Sequence, residues 1–324
     1  EATMGLDGIT RDWVGNNLES LSLWHSGYPA SDGSLVENDP GTYTMTSSGA
    51  DIWSESDEFH YGWTTLQGQG SITAKVGPIE NMVAGKSLNV WAKAGVMIRQ
   101  SLDPNSPHAF MTTTGAQGIA FQYRETAGTE SINDTQLETV LQRPHWIRLE
   151  RDFSGDFTAY HANDVDGTPD MWTKLNTVTI QMPTRVYIGP ALSSHQPYTK
   201  ARAVFSDVTI TGNVSGRTLV GQDIGIISNS PEQMYVSVRD SGGNIATVEN
   251  SDPEAAVVGQ WTEWNIPLAD FSGADLADLE AISLGFGTKG ATLAGGSGLM
   301  FFDDLRLYKS RCLADGPRPA ADLS

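Results

Sequence analysis

Three stretches of this chain place polar side chains on one face at two-residue spacing. In "KAGVMIR", Lys93, Gly95, Met97 and Arg99 alternate with Ala94, Val96 and Ile98. In "IAFQYR", Ala120, Gln122 and Arg124 alternate with Ile119, Phe121 and Tyr123, and in "WIRLE", Trp146, Arg148 and Glu150 alternate with Ile147 and Leu149. Successive side chains of a strand point to opposite faces, so each apolar set belongs to a core and each polar set to an outer or concave face. Lys93, Arg99, Arg124 and Arg148 would then form a basic patch with Gln122 beside it. Guanidinium groups bind carboxylates and sulfates through paired hydrogen bonds, which points to an anionic glycan. The plainer alternative is cross-strand pairing of these cations with Glu125, Glu150 and Asp103.

Aromatic rings are the other resource for holding sugars, because the C–H faces of pyranoses stack on flat rings. Trp53, Tyr61, Trp63 and Trp91 fall in the same part of the chain, and Tyr198 follows Pro197 in a loop. Most sandwich tryptophans anchor cores. Trp63 and Trp264 alternate with polar neighbours and read as core, whereas Trp53 and Tyr198 stand beside turns and read as exposed. For metals, "NDVDGTPD" spaces Asp164, Asp166 and Asp170 around Gly167 like a short calcium loop with oxygen ligands. The same residues would also stock a hairpin turn. No serine–histidine or cysteine–histidine signature, phosphate loop or zinc spacing is present.

The elements that must position these groups are strands. Gly, Ser, Thr, Asn and Asp separate short alternating runs, and the best helical candidate is only "ADLADLEAI", Ala274–Ile282. A dozen such runs with turn residues between them mean an all-β protein built from sandwiches or jelly rolls. Runs between Gly41 and Gly212 make one complete two-sheet set. A second set after residue 230 is too short to stand alone, and "LESLSLW" near the start is a strand without a sheet. Both needs are met if one β-sandwich, formed by residues 1–31 and 213–312, is interrupted by an inserted jelly roll at 32–212. Insertion is tolerated where the inserted termini lie close together and the host site is a loop. The nested arrangement requires Leu21 and Leu23 to pack with strands beyond residue 220. Residues 313–324 read as a Pro-rich linker to something further.

The 324 residues carry a formal net charge of -19. That argues against nucleic-acid or anionic-membrane partners. No apolar run approaches the roughly 20 residues of a membrane span. The single cysteine, Cys312, excludes a disulfide within the chain. A start at Glu1 reads as a mature or excised fragment of a secreted or cell-surface protein.

Longer stretches resemble known families. "SGADIWSESDEFHYGWTTLQGQGSITAKV", "WAKAGVMIRQSLDPNSPHAF" and "IAFQYRE" are similar to concanavalin A-like jelly-roll domains of bacterial secreted multidomain proteins. "PEQMYVSVRDSGGN", "WTEWNIPLADFSG" and "GSGLMFFDDLRLY" resemble galactose-binding-like sandwiches of the carbohydrate-binding-module type. In uninterrupted relatives, a strand like "LESLSLWHSG" stands directly before one like "PEQMYVSV", and one or two strands commonly precede it. The resemblance implies sugar binding. His108 and His195 recur with the jelly-roll motif, as ligands or as loop anchors. It also implies a structural calcium on Asp304 of "FFDDLRLY".

Catalysis fares less well. Retaining glucanases of the jelly-roll fold carry E-x-D-x-E, and double displacement needs two carboxyls about 5 Å apart. Here "ESDE" gives Glu55, Asp57 and Glu58, with Glu58 on the opposite face. "WAKAGVMIRQ" resembles the tyrosine-bearing strand of jelly-roll alginate lyases. Trp91 stands at the tyrosine's place, and indole is no general acid or base. The expectation is therefore a non-catalytic module for extracellular polysaccharide within a larger protein. The alternatives are a subunit that associates with copies of itself, and a polysaccharide lyase or hydrolase.

Overall fold

The computed structural model describes residues 1–6, 11–15, 17–137, 143–290 and 298–309. The chain is all-β. Among the described residues the only helical turns are the short 3-10 turns Ala255–Val257 and Leu268–Asp270. No helix there is long and apolar enough to cross a membrane. The chain divides into two compact units, Ser31–Ile226 and the combination of Glu1–Ala30 with Ile227–Ser324. Cys312 and the linker at 313–324 lie outside the described residues.

The continuous unit is a sandwich of two sheets joined through one strand, Phe59–Asn81. Its first half pairs with Arg185–Ser193 on one side and Val220–Ile224 on the other. Its second half pairs with His145–Arg151 and with Gln196–Val214. The change of neighbours falls at "QGQG", where Gly68 has φ +82°, a conformation that costs glycine little. The front sheet continues outward from Arg185–Ser193 through Lys93–Arg99, His108–Thr114, Ile119–Arg124 and Ile132–Leu137. The back sheet continues through Asp156–Val165 and Thr173–Thr179 on one side, and through Thr42–Gly49 and Ser34–Asp39 on the other. The apolar faces read from the sequence meet between the sheets. Val96, Ile98, Met111, Phe121, Ile147, Leu149, Ile72 and Phe205 are all fully buried there.

The unit ends later than residue 212. Val220–Ile224 hydrogen-bonds along Phe59–Trp63, and Asp223 accepts the Gly33 N–H and contacts His60 Nδ1 at 2.7 Å. The turn-rich composition of 213–219 hid a strand whose partner is more than a hundred residues upstream.

In the discontinuous unit, Ser20–Ser26 is the middle strand of a three-stranded sheet, between Thr262–Pro267 and Phe301–Tyr308. A four-stranded sheet runs Ala2–Gly5, Leu279–Phe286, Met234–Asp240, Ile245–Glu249. Leu21, Leu23 and Ile266 of the first sheet share a core with Val236, Val238 and Leu279 of the second. Residues 274–282 are not helical. Asp275 and Asp278 hold turns, with Asp275 Oδ1 accepting the Ala277 N–H, and Leu279–Phe286 pairs on both sides. An aspartate whose side chain bonds the backbone two residues on competes against so short a helix, and strand pairing decides the rest.

Candidate functional site

Arg99, His108 and Arg124 do line up across three strands of the front sheet, as their spacing requires. The face they occupy is not open. All three are fully buried, as are Lys93 and Gln122. The segment 50–58 lies against this face and supplies the anion. Arg124 Nη2 donates to Asp57 Oδ1 at 2.7 Å and Nη1 to Oδ2 at 2.9 Å. Arg99 Nη1 reaches the same Oδ2 at 3.4 Å, and His108 Nδ1 stands 3.6 Å from it. The remaining guanidinium donors go to carbonyls of Trp53, Ser54, Ser101, Asp103 and Ser106. Ile52, Phe59, Tyr61, Met97 and Phe110 fill the space beside the charges as a second small core. The carboxylate that the basic face was expected to bind is thus the chain's own Asp57. Burial, with the two guanidiniums adding to it, pushes His108 down to about 3, so it is neutral.

Lys93 repeats the pattern at the other end of its strand. Its Nζ contacts Asp51 Oδ1 at 2.7 Å, donates to the Ile52 carbonyl and lies over the Trp53 ring. Asp51 also meets His195 Nδ1 at 3.1 Å, and its contacts with His195 and with the Lys93 ammonium hold its carboxyl below the usual range despite burial. Tyr198 is exposed, on a backbone with φ +60°. Trp53 and His195 are half-buried. Lys93, Asp51, Trp53 and His195 tie loops together at one end of the front sheet.

The expected calcium ligands do not converge. Asp166 and Gly167, both with positive φ, form the two-residue turn between Asp156–Val165 and Thr168–Pro169, the asparagine/aspartate–glycine type of hairpin. Asp164 accepts from Trp146 Nε1 at 2.7 Å, while Asp170 accepts from the backbone and side chain of Asn163. Asp304 sits in a bulge with φ +50° and accepts from Arg306. No group of three or more metal-ligating side chains occurs among the described residues.

Arg148 is separated from the other three cations. It lies on the outer face of the back sheet, in a polar field spanning five strands. One row across them is Thr211, Ser71, Glu150, Thr158, Thr177, and the next is Thr209, Thr73, Arg148, Tyr160, Lys174. A cleft of about 430 Å³ opens in this face, lined by Gln69–Ser71, Arg148, Glu150–Asp152, Asp156, Thr158, Thr211 and Gly212. Arg148 contacts Glu150 and lies over the Tyr160 ring, and its Nε is buried without a hydrogen-bond partner. Burial and the Glu150 carboxylate hold the Tyr160 hydroxyl above its ordinary value. Hydroxyl pairs Ser71–Thr211, 2.8 Å, and Thr158–Thr177, 3.0 Å, each leave one hydroxyl proton to spare.

The turn that gives this cleft Asp152 and Asp156 carries a residue that strand patterning passed over. The turn at 152–155 closes with Asp152 N–H to the Asp156 carbonyl, and Asp152 Oδ1 accepts the amides of Ser154 and Asp156. At its tip Phe153 is 82% exposed. An aromatic in "DFSGD", a turn sequence between two strands, was the available signal: a turn does not bury its side chains, so a ring there faces solvent.

No family model matches the chain, and neither does any curated protein. Among solved structures, a functionally unknown protein from Saccharomyces cerevisiae is 14% identical, covering 58% of this chain and 96% of that one, with a TM-score of 0.42. Arcelin-5, a lectin-like defence protein from Phaseolus vulgaris, is 9% identical over 66% of this chain and 98% of its own, with a TM-score of 0.35. A legume lectin-like domain from Entamoeba histolytica is 8% identical over 58% and 90%, also at 0.35.

Proposed function

We propose that this chain is a non-catalytic module that binds extracellular polysaccharide, on a secreted or cell-surface protein, through the outer-face cleft of the continuous unit. The observation that carries the reading is the cleft itself: hydroxyls, a guanidinium and carboxylates on a floor of four paired strands, with an exposed phenylalanine in the adjoining turn. Sugars need both elements, hydrogen-bonding groups for their hydroxyls and a flat ring for their C–H faces. Strands hold such groups in fixed geometry, so little ordering entropy is lost on binding.

A binding role is favoured over hydrolysis because every carboxylate of the cleft is held by a neighbour on at least one oxygen. Glu150 is engaged by Arg148, Asp156 by the Thr179 hydroxyl and Asp152 by two turn amides. An acid–base pair needs carboxyls free to exchange protons with the substrate.

The test is isothermal titration against a panel of soluble polysaccharides, followed by Phe153→Ala and Thr158→Val. Each variant is expected to weaken the best ligand by about tenfold, near 1.4 kcal/mol. Neither alters the core, so the thermal midpoint should stay within 2–3 °C, roughly a kcal/mol for a unit of this size. Affinity unchanged in both variants would move the site away from the cleft.

A further inference from the structure

We infer that the cleft sorts glycans by charge, accepting uncharged or amine-bearing saccharides and turning away uronates and sulfated sugars. The inference rests on the glycan-binding reading above and names the ligand class of the same site. Its basis is the state of each charged group in the cleft.

Two cations and three carboxylates line it, a formal balance of 2 − 3 = −1 from Arg148, Arg151, Glu150, Asp152 and Asp156. Both cations are already engaged by the chain's own acceptors. Arg148 is in contact with Glu150. Arg151 is buried, and its terminal nitrogens donate to the carbonyls of Met182, Pro183 and Thr184 at 3.1, 2.9 and 3.3 Å. Of the carboxylates, only Glu150 has a cation at hand. Asp152 and Asp156 are satisfied on one oxygen each by neutral donors, the turn amides and the Thr179 hydroxyl. Their second oxygens remain acceptors.

The surrounding face does not reverse this balance. Lys75 is paired with Asp207 at 3.0 Å, and its other acidic neighbour is Asp164. Lys174 is exposed on the outermost strand, in the row beyond the cleft. At longer range the chain's charge of -19 repels anions. A site rich in acceptors recognises donors: sugar hydroxyls, and better still an ammonium group. A uronate carboxylate would have to lose water opposite Asp152 and Asp156, and like charges brought together across an interface suppress the wrong partner.

The experiment titrates the intact chain with tetrasaccharides of matched length that carry a hydroxyl, an amine or a carboxylate. Tetramers of 1,4-linked glucose, glucosamine and glucuronic acid form one series, and tetramers of galactose, galactosamine and galacturonic acid the other. At 50 mM NaCl the neutral tetramer of the better series should bind at least tenfold more tightly than its uronate, and the amino sugar at least as tightly as the neutral one. At 500 mM NaCl the gap should narrow to about threefold, because salt screens charges beyond a few ångströms. Asp152→Asn combined with Asp156→Asn keeps the turn acceptors and should narrow the gap at low salt. A uronate that equals or exceeds its neutral partner at 50 mM NaCl overturns the charge rule and leaves glycan binding standing. Failure of all six tetramers to bind overturns the glycan reading itself.

Discussion

Replacing Asp57 by asparagine is expected to destabilise the continuous unit by about 3–5 kcal/mol, the usual cost of removing one member of a buried ion cluster. The substitution barely changes side-chain volume, so the loss is electrostatic. Two fully buried guanidiniums would face an amide that can neutralise neither. At roughly 2–4 °C per kcal/mol for a unit of this size, the thermal midpoint should fall by about 10 °C. Urea titration followed by tryptophan fluorescence gives the free energy directly. The double variant Asp57→Asn, Arg124→Met should lose less than the sum of the single losses, by at least about 1 kcal/mol, because the partners are in contact. A single-variant loss under about 1 kcal/mol would mean that Asp57 does not hold segment 50–58 onto the front sheet.

The second large effect is an acid limb in stability. In the unfolded chain His108 takes a proton near pH 6.5, whereas in the fold burial pushes it down to about 3. Between those values the unfolded state binds the extra proton, so stability rises with pH and is lost as pH falls. The contribution is fully present above about pH 6.5. At about 1.4 kcal/mol per unit, it amounts to roughly 3 kcal/mol lost by pH 4.5. The groups facing the imidazole are Asp57, Arg99, Arg124 and the Ser106 carbonyl. His25 and His161, also lowered by burial, add smaller slopes of the same sign. His108→Gln removes the titrating group, so its stability should fall less steeply between pH 7 and 4.5 than the parent's, whatever its absolute value. Parallel pH profiles for the two proteins would contradict a neutral buried His108.

The two predictions share an origin that also explains what the sequence could and could not disclose. Alternation at Lys93–Arg99, Ile119–Arg124 and His145–Arg151 is a local property, and it placed each strand's core face correctly. It also placed Arg99, Gln122 and Arg124 on a common opposite face. What covers that face is a non-local property. Segment 50–58 is a loop with no periodicity, and its contact with the front sheet depends on Asp57 meeting Arg124 sixty-seven residues away. One physical signal was present. Cations on alternating strand positions in so acidic a chain are rarely left without an anion, and charged side chains are almost never fully buried unless paired. "ESDE" was therefore a candidate partner as well as a candidate catalytic strand.

Strand Ser20–Ser26 was legible for a similar reason. Leu21 and Leu23 demanded a sheet that the adjacent sequence could not supply, and the structure places it at residues 262–267 and 301–308. Val220–Ile224 offered no such demand, since its residues are mostly exposed and it is held by edge pairing to Phe59–Trp63. The cleft was half legible. Arg148 and Glu150 follow from alternation and Asp156 from the tight turn at 152–155, but Ser71 and Thr211 join them only through pairings that span up to 140 residues.

The most direct test of the account is amide chemical-shift mapping of the isotopically labelled chain, titrated with the neutral tetrasaccharide that binds best. The account predicts that perturbed amides cluster at Gln69–Ser71, Arg148–Thr158 and Thr211–Gly212, with those of Asp57, Arg99 and Arg124 unmoved. Perturbations centred instead on Trp53, His195 and Tyr198 at the front-sheet rim, with the cleft silent, would contradict it.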